Sequence, residues 1–84
     1  MNDNSVAKTY ISHNGKWFFV STIERDSSAM EGPRRYNETI VWEYENDTRG
    51  EMLFQDGDSK GSIRTHQKIV DRLFKTGRAE EDVL

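Results

Sequence analysis

Asn14 and Gly15 sit between KTYISH and KWFFVSTIER, two runs rich in apolar, aromatic and β-branched residues. An Asn-Gly pair in that setting is the strongest local signal for a two-residue β-hairpin. A type I′ turn needs positive φ at both central positions, and these two residues tolerate it best. So short a turn leaves the register no freedom. It sets His13 opposite Lys16, Ser12 opposite Trp17, Ile11 opposite Phe18, Tyr10 opposite Phe19 and Thr9 opposite Val20. Side chains alternate across a pleated strand, so Tyr10, Trp17, Phe19 and Ile23 share one face while Ile11, Phe18 and Val20 share the other. The second strand is thus apolar on both faces, which is the pattern of a central strand with material packed on each side.

Arg34–Glu45 carries the next strand pattern. Tyr36, Glu38, Ile40, Trp42 and Tyr44 alternate with Asn37, Thr39, Val41, Glu43 and Glu45, one face rich in aromatics and the other mostly polar. Asp26–Pro33 reads as a polar loop whose Met30 is placed to fold back over the sheet, and Asn46–Gly50 as a turn. Glu51–Gln55 reads as a short last strand with Met52 and Phe54 on one face and Leu53 on the other, followed by a loop over Asp56–Gly61. Ser62–Thr76 reads as a helix, with Ser62 as N-cap, Gly77 as the left-handed residue past its end, and Lys75 at the negative end of its dipole. Ile63, His66, Ile69, Val70, Leu73 and Phe74 recur at helical spacing as one apolar stripe. The β-β-β-β-α order predicts an α+β fold: an antiparallel sheet of three to four strands with one C-terminal amphipathic helix packed on one face.

One helix covers one face of such a sheet, so the other face needs an account. The chain of 84 residues makes one domain spanning 1–84, with 1–6 and 78–84 expected to be flexible termini. At this size only ~60% of the unfolded surface is buried on folding. Charged residues are 32% of the chain and mean hydropathy is −0.91, polar for a globule, while an aromatic share of 11% argues for an ordered middle. Each large apolar side chain buried on the second face would contribute ~1.5–3 kcal/mol, so a bare face is the least favourable outcome. Closure into a small barrel, face-to-face dimerisation, or a docked partner would each cover it.

The absence of cysteine excludes disulfides, thiolate metal centres and cysteine nucleophiles, and favours a reducing compartment. MNDNSVAKTY has neither the basic start nor the apolar run of a signal peptide, and no stretch approaches the ~20 apolar residues of a membrane span. These features predict a cytoplasmic protein with no membrane association. A net charge of −3 gives no global attraction to nucleic acid.

The aromatic set Tyr10, Trp17, Phe19, Tyr36, Trp42 and Tyr44 is the candidate interface, since Trp and Tyr concentrate at protein contacts. Glu38, Glu43 and Glu45 lie around Trp42 and Tyr44 in the sequence and oppose the stacking of nucleic-acid bases there. The nucleic-acid alternative uses Arg64, Lys68, Arg72 and Lys75, spaced i, i+4, i+8 and i+11 on the helix's outer face, together with Arg34 and Arg35. A solvated charged face is the simpler account of that stripe.

Over twelve residues, DGDSKGSIRTHQ resembles the calcium loop of EF-hand proteins: Asp56 and Asp58 match the first and third positions, Gly61 the turn glycine and Ile63 the apolar eighth position. Lys60 stands where a third oxygen ligand belongs and Gln67 where the bidentate glutamate belongs, so the segment is read as a Gly/Asp turn entering a helix. His13 is read as a surface residue facing Lys16, and His66 as a partly buried residue with a hydrogen-bond partner. There is no H-E-x-x-H and no G-x-S-x-G, so no catalytic residue and no cofactor is assigned and the expectation is a non-enzyme. The reading is a small protein–protein interaction or regulatory domain that homodimerises, or docks on a protein partner, through the aromatic sheet face.

Overall fold

The computed structural model describes residues 5–29, 32–59 and 62–79. The elements are β1 (Ser5–His13), β2 (Lys16–Ala29), β3 (Gly32–Glu45), β4 (Thr48–Ser59) and α1 (Arg64–Thr76). The strands form one antiparallel sheet in the order β1-β2-β3-β4, and α1 packs on it to give a slab of 44 × 38 × 19 Å. The sheet is an open meander with β1 and β4 as its edges, so closure into a barrel is not how its second face is covered.

Asn14 at φ 51° and Gly15 at φ 82° make the expected turn, and each of the pairs from His13–Lys16 to Thr9–Val20 is in the expected register. The β3–β4 connection is a second two-residue turn, Asn46 at φ 53° and Asp47 at φ 62°, shorter than the Asn46–Gly50 turn read from composition. Asp26–Ala29 and Gly32–Pro33 are strand, not loop. Pairing of β2 with β3 continues from Asp26–Arg35 to Ala29–Gly32, because strands already in register extend their ladder through polar residues whose backbone groups need partners anyway. Among the described residues the β3–β4 ladder begins at Tyr36, and Pro33 lies beyond it, where a missing N–H removes no ladder bond to β4. Met30 lies outside the described residues.

β4 is likewise longer than Glu51–Gln55 and runs through to Ser59, taking in much of the segment read as a loop. A bulge changes its faces. Phe54 pairs with Val41 and Met52 pairs with Trp42, with register shifts on both sides of Trp42. Met52 and Phe54 therefore face opposite sides of the sheet, not the same one, because an extra residue on one strand reverses the alternation.

The core lies between α1 and the Val20/Val41 face. Phe18, Val20, Val41, Ile69, Leu73 and Ala79 are buried there, with Ile11, Leu53, Phe54 and Val70 packed against them. α1 lies chiefly over β1 and β2. Its stripe is narrower than periodicity suggested: His66, Ile69 and Leu73 are buried, while Phe74 is 65% exposed. The helix is keyed by polar bonds as well as apolar packing. Nε2 of His66 meets the Thr9 hydroxyl and Nδ1 the Thr22 hydroxyl, each at 2.8 Å, and Thr22 continues to Thr39. At the far end, Nδ1 of His13 donates to the Phe74 carbonyl at 3.0 Å, so His13 holds the helix C-terminus as well as standing opposite Lys16. Gly77 closes the helix at φ 72° and its N–H bonds the Leu73 carbonyl.

Candidate interaction face

Because α1 takes the Val20/Val41 side, the alternate residues face away from it. Tyr10 on β1, Trp17 and Phe19 on β2, and Tyr36, Trp42 and Tyr44 on β3 all lie on this open side. The rings gather toward the end of the sheet that carries both tight turns. Tyr10 stacks on Phe19 with centroids 4.7 Å apart and meets Tyr44 edge-on at 5.0 Å; Phe19 and Tyr44 are 6.4 Å apart. Trp17 stands opposite Tyr44, and Trp42 lies between Phe19 and Met52 on its two neighbouring strands. Register explains the cluster: a hairpin places cross-strand neighbours within ring contact, and such aromatic pairs contribute beyond their buried area.

Tyr10 is 52% exposed, Trp17 50% and Met52 48%, whereas Phe19 is nearly covered by its neighbours. Tyr36 does not join the cluster. It pairs with Arg25 and Ser59 toward the other end, where Glu38 is buried. The Glu38 carboxylate accepts from Arg25 Nε and from Gln55 Nε2, both at 2.8 Å. The open side thus has an aromatic end and a polar end in which the buried charge is compensated.

Glu43 and Glu45 alternate to the helix side, Glu43 opposite Phe18 and ion-paired to Lys16 at 3.0 Å. They do not surround the rings of Trp42 and Tyr44 in space, since neighbours along a strand point to opposite faces. The cation that does meet this face is Arg49, whose guanidinium lies 5.1 Å from the Trp42 ring centre. Tyr10, Trp17 and Tyr44, with Asn46 and Asp47 of the second turn, line a recess of about 440 Å³. A second recess of about 490 Å³ runs beside α1, lined by Thr9, Ile11, His66, Val70 and Phe74 among others.

The basic set is dispersed. Arg64 and Lys68 are exposed on α1, Arg72 donates to the Ala79 carbonyl at 2.6 Å, and Lys75 pairs with Asp71 at 3.1 Å. Arg35 pairs with Glu24 at 2.9 Å, and the side chain of Arg34 lies outside the described residues.

Asp56 accepts from the N–H of Gly57, and Asp58 serves the helix. Oδ2 of Asp58 accepts from the Ser62 hydroxyl at 2.7 Å and from the Thr65 N–H at 3.1 Å. Helix α1 begins at Arg64 with Ile63 in the cap position, so the capping carboxylate comes from β4; Ser62 Oγ adds a longer bond from Arg64 N at 3.3 Å. A strand residue acting as the cap of a following helix has no local sequence signature beyond the short Asp58–Ser62 spacing. Lys60 and Gly61 of the EF-hand-like segment lie outside the described residues, and no group of three or more His, Asp or Glu side chains suited to a metal occurs among those described. No helix among the described residues is long and apolar enough to cross a membrane. In comparisons with family models, curated proteins and solved structures, nothing matches this chain.

Proposed function

We propose that the chain is a small cytoplasmic, non-enzymatic interaction domain that self-associates through the aromatic end of its open sheet face. The observation that carries this is the side α1 takes: Tyr10, Trp17 and Met52 are left about half exposed, contiguous with Phe19, Trp42 and Tyr44. Half-exposed Trp and Tyr in one patch are the residues that dominate binding energy when a partner excludes water from them. The slab measures 44 × 38 Å across, room enough for the ~800 Å² per partner of a standard interface. A second copy presents the same patch, and two-fold pairing of identical surfaces is the commonest way to bury one.

Sedimentation velocity over a hundredfold concentration range tests the reading. The expected result is a monomer–dimer equilibrium that Trp17→Ser shifts to monomer without loss of the folded spectrum. A monomer throughout, or a dimer indifferent to Trp17→Ser, overturns it. The nucleic-acid alternative has less support, because Arg72 and Lys75 are engaged within the helix and its C-terminal turn and Arg35 is ion-paired. A low-salt gel shift with mixed single strands tests it; no retardation removes it.

A further inference from the structure

The recess at the turn end has a composition that selects one ligand chemistry. Its walls are the rings of Tyr10, Trp17 and Tyr44, and its polar lining is Asn46 and Asp47. Tyr10 and Tyr44 meet at an interplanar angle of 67°, so their faces point in different directions instead of stacking shut. Phe19, stacked behind Tyr10 at 17°, holds that wall in place. Aromatic faces carry negative potential and attract cations, and a carboxylate among them reinforces the preference.

Among the described residues Asp47 is the one charged group in that lining, so the recess favours positive charge. Lys8 and Arg49 belong to the same open side but do not line the recess, and Arg49 already rests on Trp42 at 5.1 Å. That internal pair shows the face holding a cation by its rings.

The class of cation follows from hydrogen-bond supply. A primary ammonium is a compact, strongly hydrated charge whose three N–H donors ring faces satisfy poorly, so it gains less from the rings than a methylated one. A fully methylated ammonium brings no such demand, spreads its charge over methyl groups, and makes van der Waals contact with ring faces. At about 440 Å³ the recess has room for one such group and its stem. Phe19, Trp42 and Met52 follow Tyr10 across the sheet on the same side, apolar surface that would take the rest of a peptide but would add nothing for a small free ion. The geometry points to a site for a methylated lysine side chain of a protein partner, bound in the aromatic recess of Tyr10, Trp17 and Tyr44 with Asp47 as counter-charge.

This proposal rests on the open face being available for interaction, and its readout differs from that of self-association. The two indole N–H signals, Trp17 in the recess and Trp42 outside it, are followed by NMR at a concentration where sedimentation shows monomer. Short peptides carrying trimethyllysine, lysine, or a neutral trimethyl isostere of the same shape are added in turn, with tetramethylammonium as the free ion. The expected result is a saturable shift of the Trp17 indole by the trimethyllysine peptide, with binding about tenfold weaker for the neutral isostere and for lysine. Asp47→Asn, which keeps the turn's shape, weakens it severalfold, and Tyr10→Ala abolishes the shift of the Trp17 indole while the Trp42 signal stays in its folded position.

Equal binding of the neutral isostere, a silent Trp17 indole, or indifference to both substitutions overturns the site. Tetramethylammonium binding as tightly as the peptide overturns the peptide-borne source. Self-association can fail in sedimentation while this titration succeeds, and the reverse, so the two readings are separable.

Discussion

His66 is 5% exposed and held between the hydroxyls of Thr9 and Thr22. Burial lowers its pKa from the ordinary 6.5, since desolvation penalises the imidazolium. The unfolded chain takes up a proton as pH falls through 6.5 while the folded chain resists it. The contribution of His66 to stability is therefore full above 6.5 and is lost as pH falls toward the lower folded value. Melting temperature should fall more steeply for the wild-type chain than for His66→Gln between about pH 7.5 and about pH 5; equal slopes would contradict the linkage. Asp58 is the second residue whose role is local and testable. Asp58→Ala removes the acceptor of the Thr65 N–H and the Ser62 hydroxyl and should cost about 1–2 kcal/mol, read as a lower urea midpoint with an unchanged slope. Truncating Leu73, fully buried on the sheet-facing side of the helix, to Ala should cost ~2–5 kcal/mol, a large part of a small domain's stability.

At the scale of elements, two left-handed glycines end two different structures and should respond differently to a methyl group. Gly15 at φ 82° has open space where a Cβ would stand, with nothing within 4 Å, so Gly15→Ala meets only the conformational penalty of roughly 1–2 kcal/mol. Gly77 at φ 72° would place a Cβ 2.5 Å from Cδ2 of His13. Gly77→Ala must therefore displace the ring that holds the Phe74 carbonyl, so α1 loses one of its ties to β1 and its C-cap is strained. Denaturant melts of the pair should rank Gly77→Ala as the more damaging; the opposite order would mean that His13 yields without cost. The bulge in β4 acts at the same scale. With Met52 turned to the open side, it lets the adjacent Leu53 and Phe54 both pack against the core.

At the scale of the molecule, two layers account for the 19 Å thickness and, among the described residues, leave one broad face without a second layer. Substituting Trp17 and Tyr10 together by Ser should abolish self-association and lower the melting temperature of the monomer without unfolding it, because each side chain is only about half exposed and Tyr10 also stacks on Phe19. A variant that loses association and fold together would show instead that these rings belong to the core.

Much of the fold was legible because its signals are local. Asn14-Gly15 determined a turn, a register and a partition of faces, and the spacing of His66, Ile69 and Leu73 determined a helix with Gly77 past its end. The members of the aromatic set could be named from alternation within their strands. Three things were decided only by tertiary structure. Pairing carried β2, β3 and β4 through segments whose composition reads as loop, since backbone groups are satisfied by whichever strand lies alongside. Asp58 became the helix cap because folding brought its carboxylate to Thr65. Alternation in β2 offers two apolar faces of similar merit, and only the packing of Ile69 and Leu73 onto Phe18, Val20 and Val41, with His66 bonded to Thr9 and Thr22, settles which is covered. The face carrying Tyr10, Trp17 and Tyr44 is left open because one helix can bury only one side of a sheet.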